Sequence, residues 1–299
     1  RALEPDLDVQ AAVVLGNGNV AIDVARVLVK TPGEMAATDL PDYAARPIHA
    51  SPLTDVYMVG RRGPNEAKYT NVELREMGRL ENCVALAEAA QLPDSVAGEM
   101  SDRDRRMKEK NLATVREFTT RKGDEKPKRV HFKYYAQPVE ILGDARVTGV
   151  RFERTQVVDG RAEGVGEYFE IACGLVVAAI GYTSRPVAET PFDARGGIVR
   201  NDDGRVEDGL YAVGWIKRGP SGVIGSNKPD GKLAAEQILA DHGAGSGEKS
   251  GRAAFEALLA ERGVRAVSFS EWQTIEAAEI ANARHGAPRK KFVSTGEML

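Results

Sequence analysis

Cysteine is scarce: of 299 residues only Cys83 and Cys173 are cysteines, and neither belongs to a CxxC pair. That excludes a disulfide framework and a thioredoxin-like dithiol, and leaves two isolated thiols, whose usual place is the interior. The four histidines, His49, His131, His242 and His285, never fall at a spacing such as HxxxH, so a zinc site has no ligand set. Long apolar runs are missing as well. The greasiest stretch, LVVAAIGY, has strand length, well short of the roughly 18 to 20 residues that a spanning helix needs, so no membrane span is expected. Charge is close to balance, with 41 basic against 44 acidic residues, and a net −3 provides no global basic field for nucleic acid. There is no GxSxG or comparable nucleophile–base motif. The sequence opens on Arg1 with no charged-then-apolar leader, and reads as cut at its start.

What is present is the material of a globular α/β protein. A hydrophobic content of 42% can bury a large core, and the length suggests two domains. Asp8 to Leu15 (DVQAAVVL) is a β-branched run without turn residues. It runs into GNGN and then VAIDVARVLVK, where Val20, Val24, Val27 and Leu28 recur at helical spacing. The expected order is strand, tight turn, helix. Four prolines (Pro32, Pro41, Pro47 and Pro52) forbid one long helix before the next strand, and a short helix within a wandering connection is expected there. That strand, DVYMVGRRGP, ends at Gly60. Helices are expected at Asn71 to Leu80 and Ser101 to Thr120. Alternation from Arg129 to Tyr182 predicts an antiparallel excursion that returns to the sheet through GLVVAAIGY. GLYAVGW, a Gly/Pro-rich turn, a helix from Val223 to His242, the flexible join DHGAGSGEKSG and two further helices complete the chain.

Gly16, Gly18 and Ala21 make GxGxxA directly after a strand and at the opening of a helix. There the first glycine permits the turn, the second admits a pyrophosphate and the small third residue lets helix and strand pack. The bare N–H groups and positive dipole end of the helix face the phosphates. At the end of the second strand, where NAD-binding sites offer a carboxylate to the ribose, this chain has Arg61 and Arg62 after Gly60, a guanidinium pair suited to a 2′-phosphate. NADP(H) is the expected dinucleotide. The spacing from the first turn is longer than the usual twenty or so residues because the proline-rich connection intervenes.

These residues are familiar in combination. GNGNVAIDVARVL, VGRRGP, NVELREMG, VVAAIGYTSRPV, LYAVGWIKRGPSGVIGSNKPD, GVRAVSFSEW and PRKKFV together resemble the ferredoxin–NADP reductases of the adrenodoxin-reductase type, over essentially the whole chain. The resemblance implies a two-dinucleotide-binding flavoprotein: a Rossmann-like NADP-binding domain over 1–182 and the carboxy-terminal portion of an FAD domain over 183–299, with the first part of the FAD domain upstream of Arg1. By the same resemblance Asn17, Asn19 and Val20, with Gly16 and Gly18, would cradle the pyrophosphate, and Arg61 and Arg62 would hold the 2′-phosphate. Glu73 would touch the nicotinamide-side ribose, and Glu76, the one catalytic residue implied, would sit by nicotinamide and flavin. Trp215 would border the flavin, while Gly222, Val223 and Ile224 would supply backbone at the start of the next helix.

Hydride would pass from NADPH to FAD and single electrons to an iron–sulfur ferredoxin. Ferredoxins are commonly acidic, and Arg75 with Arg103, Arg105, Arg106, Lys108 and Lys110, spaced as a helical stripe, are the candidates to dock one, although Asp102, Asp104 and Glu109 interrupt the stripe. Taken apart from the resemblance, Glu73 and Glu76 read as helix-surface carboxylates and Trp215 as a core filler or a flat platform. Two other readings stand beside this one: an NADP(H)-binding fragment inactive without an upstream FAD segment, and another NADPH-dependent flavoprotein such as a glutamate synthase small subunit. The Gly-Trp ending of GLYAVGW and the SFSEW-to-PRKKFV terminus argue against the second. The compartment expected is a bacterial cytoplasm, or a mitochondrial matrix in a eukaryote.

Overall fold

The computed structural model describes residues 4–220, 224–243 and 250–298 and divides into two compact units, Arg1–Ile180 with Phe269–Leu299, and Gly181–Ser268. The first unit begins with β1 (Ala11–Leu15), followed at once by α1 (Asn19–Val29), whose Ala21, Ile22, Ala25, Leu28 and Val29 recur at helical spacing and are buried. The proline-rich connection holds two short helices where one was expected. α2 (Pro32–Met35) starts from a capping box between Thr31 and Glu34 with Pro32 in its first turn, where a missing N–H leaves no helical bond unmade. α3 (Asp42–Ala50) is capped by Pro41 and tolerates Pro47 inside. Then follow β2 (Asp55–Val59), α4 (Asn71–Met77), β3 (Cys83–Ala87), α5 (Asp102–Thr119), β4 (Lys128–Lys133), β5 (Ala136–Leu142), β6 (Gly149–Val158), β7 (Arg161–Ala172) and β8 (Leu175–Ala178).

β3, β4, β2, β1 and β8 lie in that order in one parallel sheet. From β1 the chain moves to β2 on one side and later to β8 on the other, so β1 stands at the point where strand order reverses, and ligands of such sheets bind beyond the carboxyl ends of the strands there. Alternation along the strands sorts the core. Ala12, Val14, Val56 and Met58 face one way and pack with Ile22 and Ala25 of α1, Leu74 and Met77 of α4 and Val115 and Phe118 of α5. Val13, Leu15 and Val59 face the other way, against Ala136, Val150, Phe152 and Ile171 of an antiparallel sheet, β5–β6–β7. The unit is therefore three layers: helices, parallel sheet, antiparallel sheet. The buried Tyr69 and Tyr134 hydroxyls share a 2.9 Å hydrogen bond on the helical side.

The second unit is built from short pieces. β9 (Phe192–Asp193) pairs with β10 (Ile198–Val199), and β11 (Arg205–Glu207) with β12 (Leu210–Tyr211). α6 (Trp215–Arg218), α7 (Ile224–His242) and α8 (Gly251–Glu261) follow. α9 (Phe269–Ala281) and α10 (Thr295–Met298) belong to the first unit again. Among the described residues no helix is long and apolar enough to cross a membrane.

Candidate dinucleotide-binding site

The two glycines of the first turn do different work. Gly16 has φ +134, and a Cβ there would meet the Ala179 carbonyl oxygen, just past β8, at 2.3 Å; its own N–H donates to the Val59 carbonyl at 2.8 Å. Only glycine lets the chain leave β1 between its two neighbours. Gly18 has extended backbone, caps α1 without any side-chain hydrogen bond, and a Cβ on it would meet nothing within 4 Å. That space lies against the opening turn of α1, whose first N–H groups have no intrahelical acceptor, so the cradle fits a pyrophosphate. Ala21, fully buried, supplies the small third residue, and Val20 is half exposed.

The side chains of Asn17 and Asn19 are structural ties. The Asn17 amide lies between the Gly16 carbonyl and the Gly60 N–H, and with its orientation assigned from these neighbours its nitrogen donates to the former (3.1 Å) and its oxygen accepts from the latter (3.3 Å), which joins the glycine turn to the end of β2. Gly60 must be glycine because a Cβ would overlap that amide. The Asn17 carbonyl takes the Lys68 N–H at 2.9 Å, and Asn19 Oδ1 takes the Thr70 N–H at 2.8 Å, the residue that caps α4. The turn thus sets the position of both segments that carry the other expected residues.

Arg61 and Arg62 follow Gly60 and so sit beside the glycine turn. Arg61 is exposed, and Arg62 is partly covered, its Nη1 donating to the Gly160 carbonyl at 3.1 Å. On α4, Glu73 and Glu76 both bind Arg26 of α1: Nη1 reaches Glu73 at 2.8 Å and Nη2 pairs with Glu76. Neither carboxylate is a free surface group. Arg26 also meets Asp23 of its own helix at 3.3 Å; sequence reasoning passed over it, and the available signal was the one base of α1 together with acids at i, i+3 spacing on α4. The Arg26 guanidinium faces three carboxylates, Asp23, Glu73 and Glu76, all partly open to solvent.

No family model matches the chain. Relatives do. Human mitochondrial NADPH:adrenodoxin oxidoreductase is 38% identical over 321 residues, covering 99% of this chain and 65% of that protein. NADPH-ferredoxin reductase FprA of Mycobacterium tuberculosis is 35% identical over 312 residues, covering 99% and 68%. The solved structure of M. tuberculosis FprA in complex with NADPH superposes with a TM-score of 0.88 at 35% identity, over 98% of this chain and 68% of that one. The chain belongs to the adrenodoxin reductase and NADPH-ferredoxin reductase family. It spans about two thirds of the length of these relatives.

The remaining residues that resemblance to the family pointed to lie in the second unit, on α4 or on α5. Trp215 opens α6 after Gly214 (φ 62), is 43% exposed and stacks on Tyr182 with ring centroids 6.1 Å apart. It is therefore not a core filler. Its helix is held by Asp230, which pairs with Arg218 at 3.0 Å and Lys217 at 3.5 Å. Gly222 and Val223 lie outside the described residues, and Ile224 is the first residue of α7. On the basic stripe Arg75, Arg103, Arg106 and Lys110 are exposed, whereas Arg105 is turned back onto the Val96 and Gly98 carbonyls at 3.1 and 2.9 Å.

Proposed function

We propose that this chain binds NADPH at the Gly16–Val20 turn and serves an NADPH-ferredoxin reductase of the two-dinucleotide flavoprotein class. One observation carries the reading: the arginine pair follows a glycine that is packed directly on the glycine turn through Asn17, so one bound dinucleotide can meet the pyrophosphate cradle and both guanidinium groups. Charged hydrogen bonds contribute about 1.5 to 3 kcal/mol each, so two arginines on a 2′-phosphate would favour NADPH over NADH by on the order of a hundredfold or more. The relatives are named for NADPH and for ferredoxin or adrenodoxin, and one was solved with NADPH bound.

The fit to FAD rests on Trp215, whose partly exposed ring beside a glycine-rich run suits a planar cofactor, with Gly222, Val223 and Ile224 as the backbone that would hold it. FAD, when bound, supplies acceptance of a hydride and its release as single electrons, which the chain alone has no group to perform. The protein's own part is positioning: the turn and the arginines fix the dinucleotide's phosphates, while Arg26 holds Glu73 and Glu76 at the ribose and nicotinamide end. Arg75, Arg103, Arg106 and Lys110 offer an exposed basic face to an acidic ferredoxin, which their charge would steer in at low salt. Its place would be a bacterial cytoplasm, or a mitochondrial matrix in a eukaryote, since the relatives include proteins of both kinds.

The test is to purify the chain, record its visible absorbance for flavin, and measure NADP+ binding and NADPH-dependent ferredoxin reduction with FAD supplied. Saturable NADP+ binding is expected whatever the flavin content. A chain that binds neither NADP+ nor NADPH overturns the reading.

A further inference from the structure

The segment that carries the two arginines is not a free loop. Its three consecutive carbonyls are all taken by the antiparallel layer: Gly60 by the Ala136 N–H at 3.1 Å, Arg61 by the Thr155 hydroxyl at 2.7 Å, and Arg62 by the Tyr135 N–H at 3.3 Å. Two of these donors are backbone, and the third is a side chain contributed from 94 positions away. Thr155 is buried, 7% exposed, and stands where the pairing of β6 with β7 shifts register between Glu153 and Thr155. Its own N–H donates to the Tyr135 carbonyl at 2.9 Å, and Tyr135 holds a left-handed φ of 55, an uncommon conformation for a residue with a side chain. Irregularities of this kind re-aim a strand locally. Here they bring the hydroxyl to the arginine backbone. The same hairpin returns at its tip, where Asp159 and Gly160 turn with φ 48 and 73 and the Gly160 carbonyl receives the Arg62 guanidinium.

We infer that the β6–β7 hairpin, through the Thr155 hydroxyl on the Arg61 carbonyl and the Gly160 carbonyl on the Arg62 guanidinium, is the brace that sets this protein's preference for a 2′-phosphorylated dinucleotide. The inference rests on the proposed phosphate role of Arg61 and Arg62 and assigns to Thr155 a positioning role in it. A guanidinium discriminates by planar, bidentate geometry, so its value depends on how firmly its stem is held. Thr155 anchors one arginine by its backbone. Gly160 takes Arg62 Nη1 and so fixes that guanidinium at one of its nitrogens.

The experiment measures dissociation constants of NADP+ and NAD+, and of adenosine 2′,5′-bisphosphate and 5′-AMP, for the chain and four variants. Thr155→Val removes the hydroxyl and keeps the shape. It is expected to weaken NADP+ and adenosine 2′,5′-bisphosphate by about three- to tenfold, the worth of one neutral hydrogen bond, and to leave NAD+ and 5′-AMP unmoved. Thr155→Ser, which keeps the hydroxyl, is expected to restore them. Arg62→Lys keeps the charge but not the span between Gly160 and a phosphate, and is expected to lose affinity for the 2′-phosphorylated ligands alone; it stands as the test should Thr155→Val not fold. Equal weakening of all four ligands, or wild-type affinity in a folded Thr155→Val, overturns the brace; should Thr155→Val not fold, wild-type affinity in Arg62→Lys overturns it. The Arg61→Ala/Arg62→Ala double variant separates the two layers of the argument. If it binds NADP+ as the parent does, the phosphate role itself is wrong; if it loses NADP+ while the other variants do not, only the brace is wrong.

Discussion

At the scale of single residues the first turn offers a clean separation between folding and binding. Gly16→Ala must push a methyl into the Ala179 carbonyl at a backbone angle that L-residues avoid, and is expected to lower the melting temperature by several degrees, about 1 to 3 kcal/mol. Gly18→Ala meets nothing and has extended backbone, so its melting temperature should stay within about a degree. Its added methyl would stand in the space proposed for the pyrophosphate, and NADP+ affinity should fall at least tenfold. Thermal unfolding and equilibrium titration on the same two proteins check this; a Gly18→Ala protein with parental NADP+ affinity contradicts the cradle. Arg26 makes the second residue-scale prediction. Arg26→Met leaves Glu73 and Glu76 unpaired one turn apart and should cost about 1 kcal/mol, a modest value because both carboxylates are partly exposed. Adding Glu73→Gln and Glu76→Gln should return most of it, which a mutant cycle measures directly.

At the scale of elements, the strand starts opposite the glycine turn hold a polar cluster. Asp55 at the head of β2 accepts from Arg129 Nε and Nη2, both at 2.6 Å, and lies 2.8 Å from His131 Nε2, whose ring stacks on Tyr57 at 4.4 Å. Arg129 is the main cause that holds the Asp55 carboxyl well below the usual carboxylate range, and burial keeps the His131 pKa below the ordinary imidazole value despite that carboxylate. Both shifts act in one direction. Unfolded chains take up a proton on histidine near pH 6.5 and on aspartate near about 3.9, while the folded protein resists both. Stability should therefore be greatest above about pH 6.5 and fall as pH drops, with the steeper loss below about pH 4. Melting temperatures between pH 3 and 8 test the sign. Asp55→Asn should flatten the limb below pH 4, and a limb that stays as steep in that variant removes Asp55 from the account.

Much of this element-scale pattern was legible in advance, and the failures have physical reasons. The β1–turn–α1 unit, the helices α4 and α5 and the antiparallel excursion each carry a local periodicity or a glycine signature. β3 does not: Cys83–Ala87 is a short, largely buried parallel strand with no alternation, too short to be told from a buried helix segment by periodicity. The paired short helices of the proline-rich connection depend on Pro32 and Pro41 sitting at helix starts, where proline is tolerated, and a count of prolines does not reveal their positions. In the candidate site, Gly16, Gly18, Arg61 and Arg62 could be named from adjacency in sequence. Arg26 and Thr155 could not, since the groups that give them a part in the site, Glu73 and Glu76 for one and the Arg61 carbonyl for the other, lie 47 or more residues away and only the fold brings them together.

At the scale of the whole molecule the three-layer unit assigns a role to each layer. The helices and the parallel sheet present a glycine turn at the point where strand order reverses, and the antiparallel layer grips the arginine segment from behind. Reading the chain as an NADPH-ferredoxin reductase also predicts a salt-dependent encounter. Charge-neutralising substitution of Arg75, Arg103, Arg106 and Lys110 together should slow ferredoxin reduction severalfold at low ionic strength and change it little at high salt, with NADP+ affinity unaffected. Stopped-flow rates across a salt series decide it, and an equal slowing at every salt concentration removes the stripe as the docking face.

The most direct measurement is a crystal structure of this chain with NADP+. The account predicts the pyrophosphate over the Gly16–Val20 turn and the 2′-phosphate within hydrogen-bond reach of the guanidinium groups of Arg61 and Arg62, with Thr155 still on the Arg61 carbonyl. A 2′-phosphate bound away from both arginines, or a dinucleotide seated elsewhere in the fold, would contradict it.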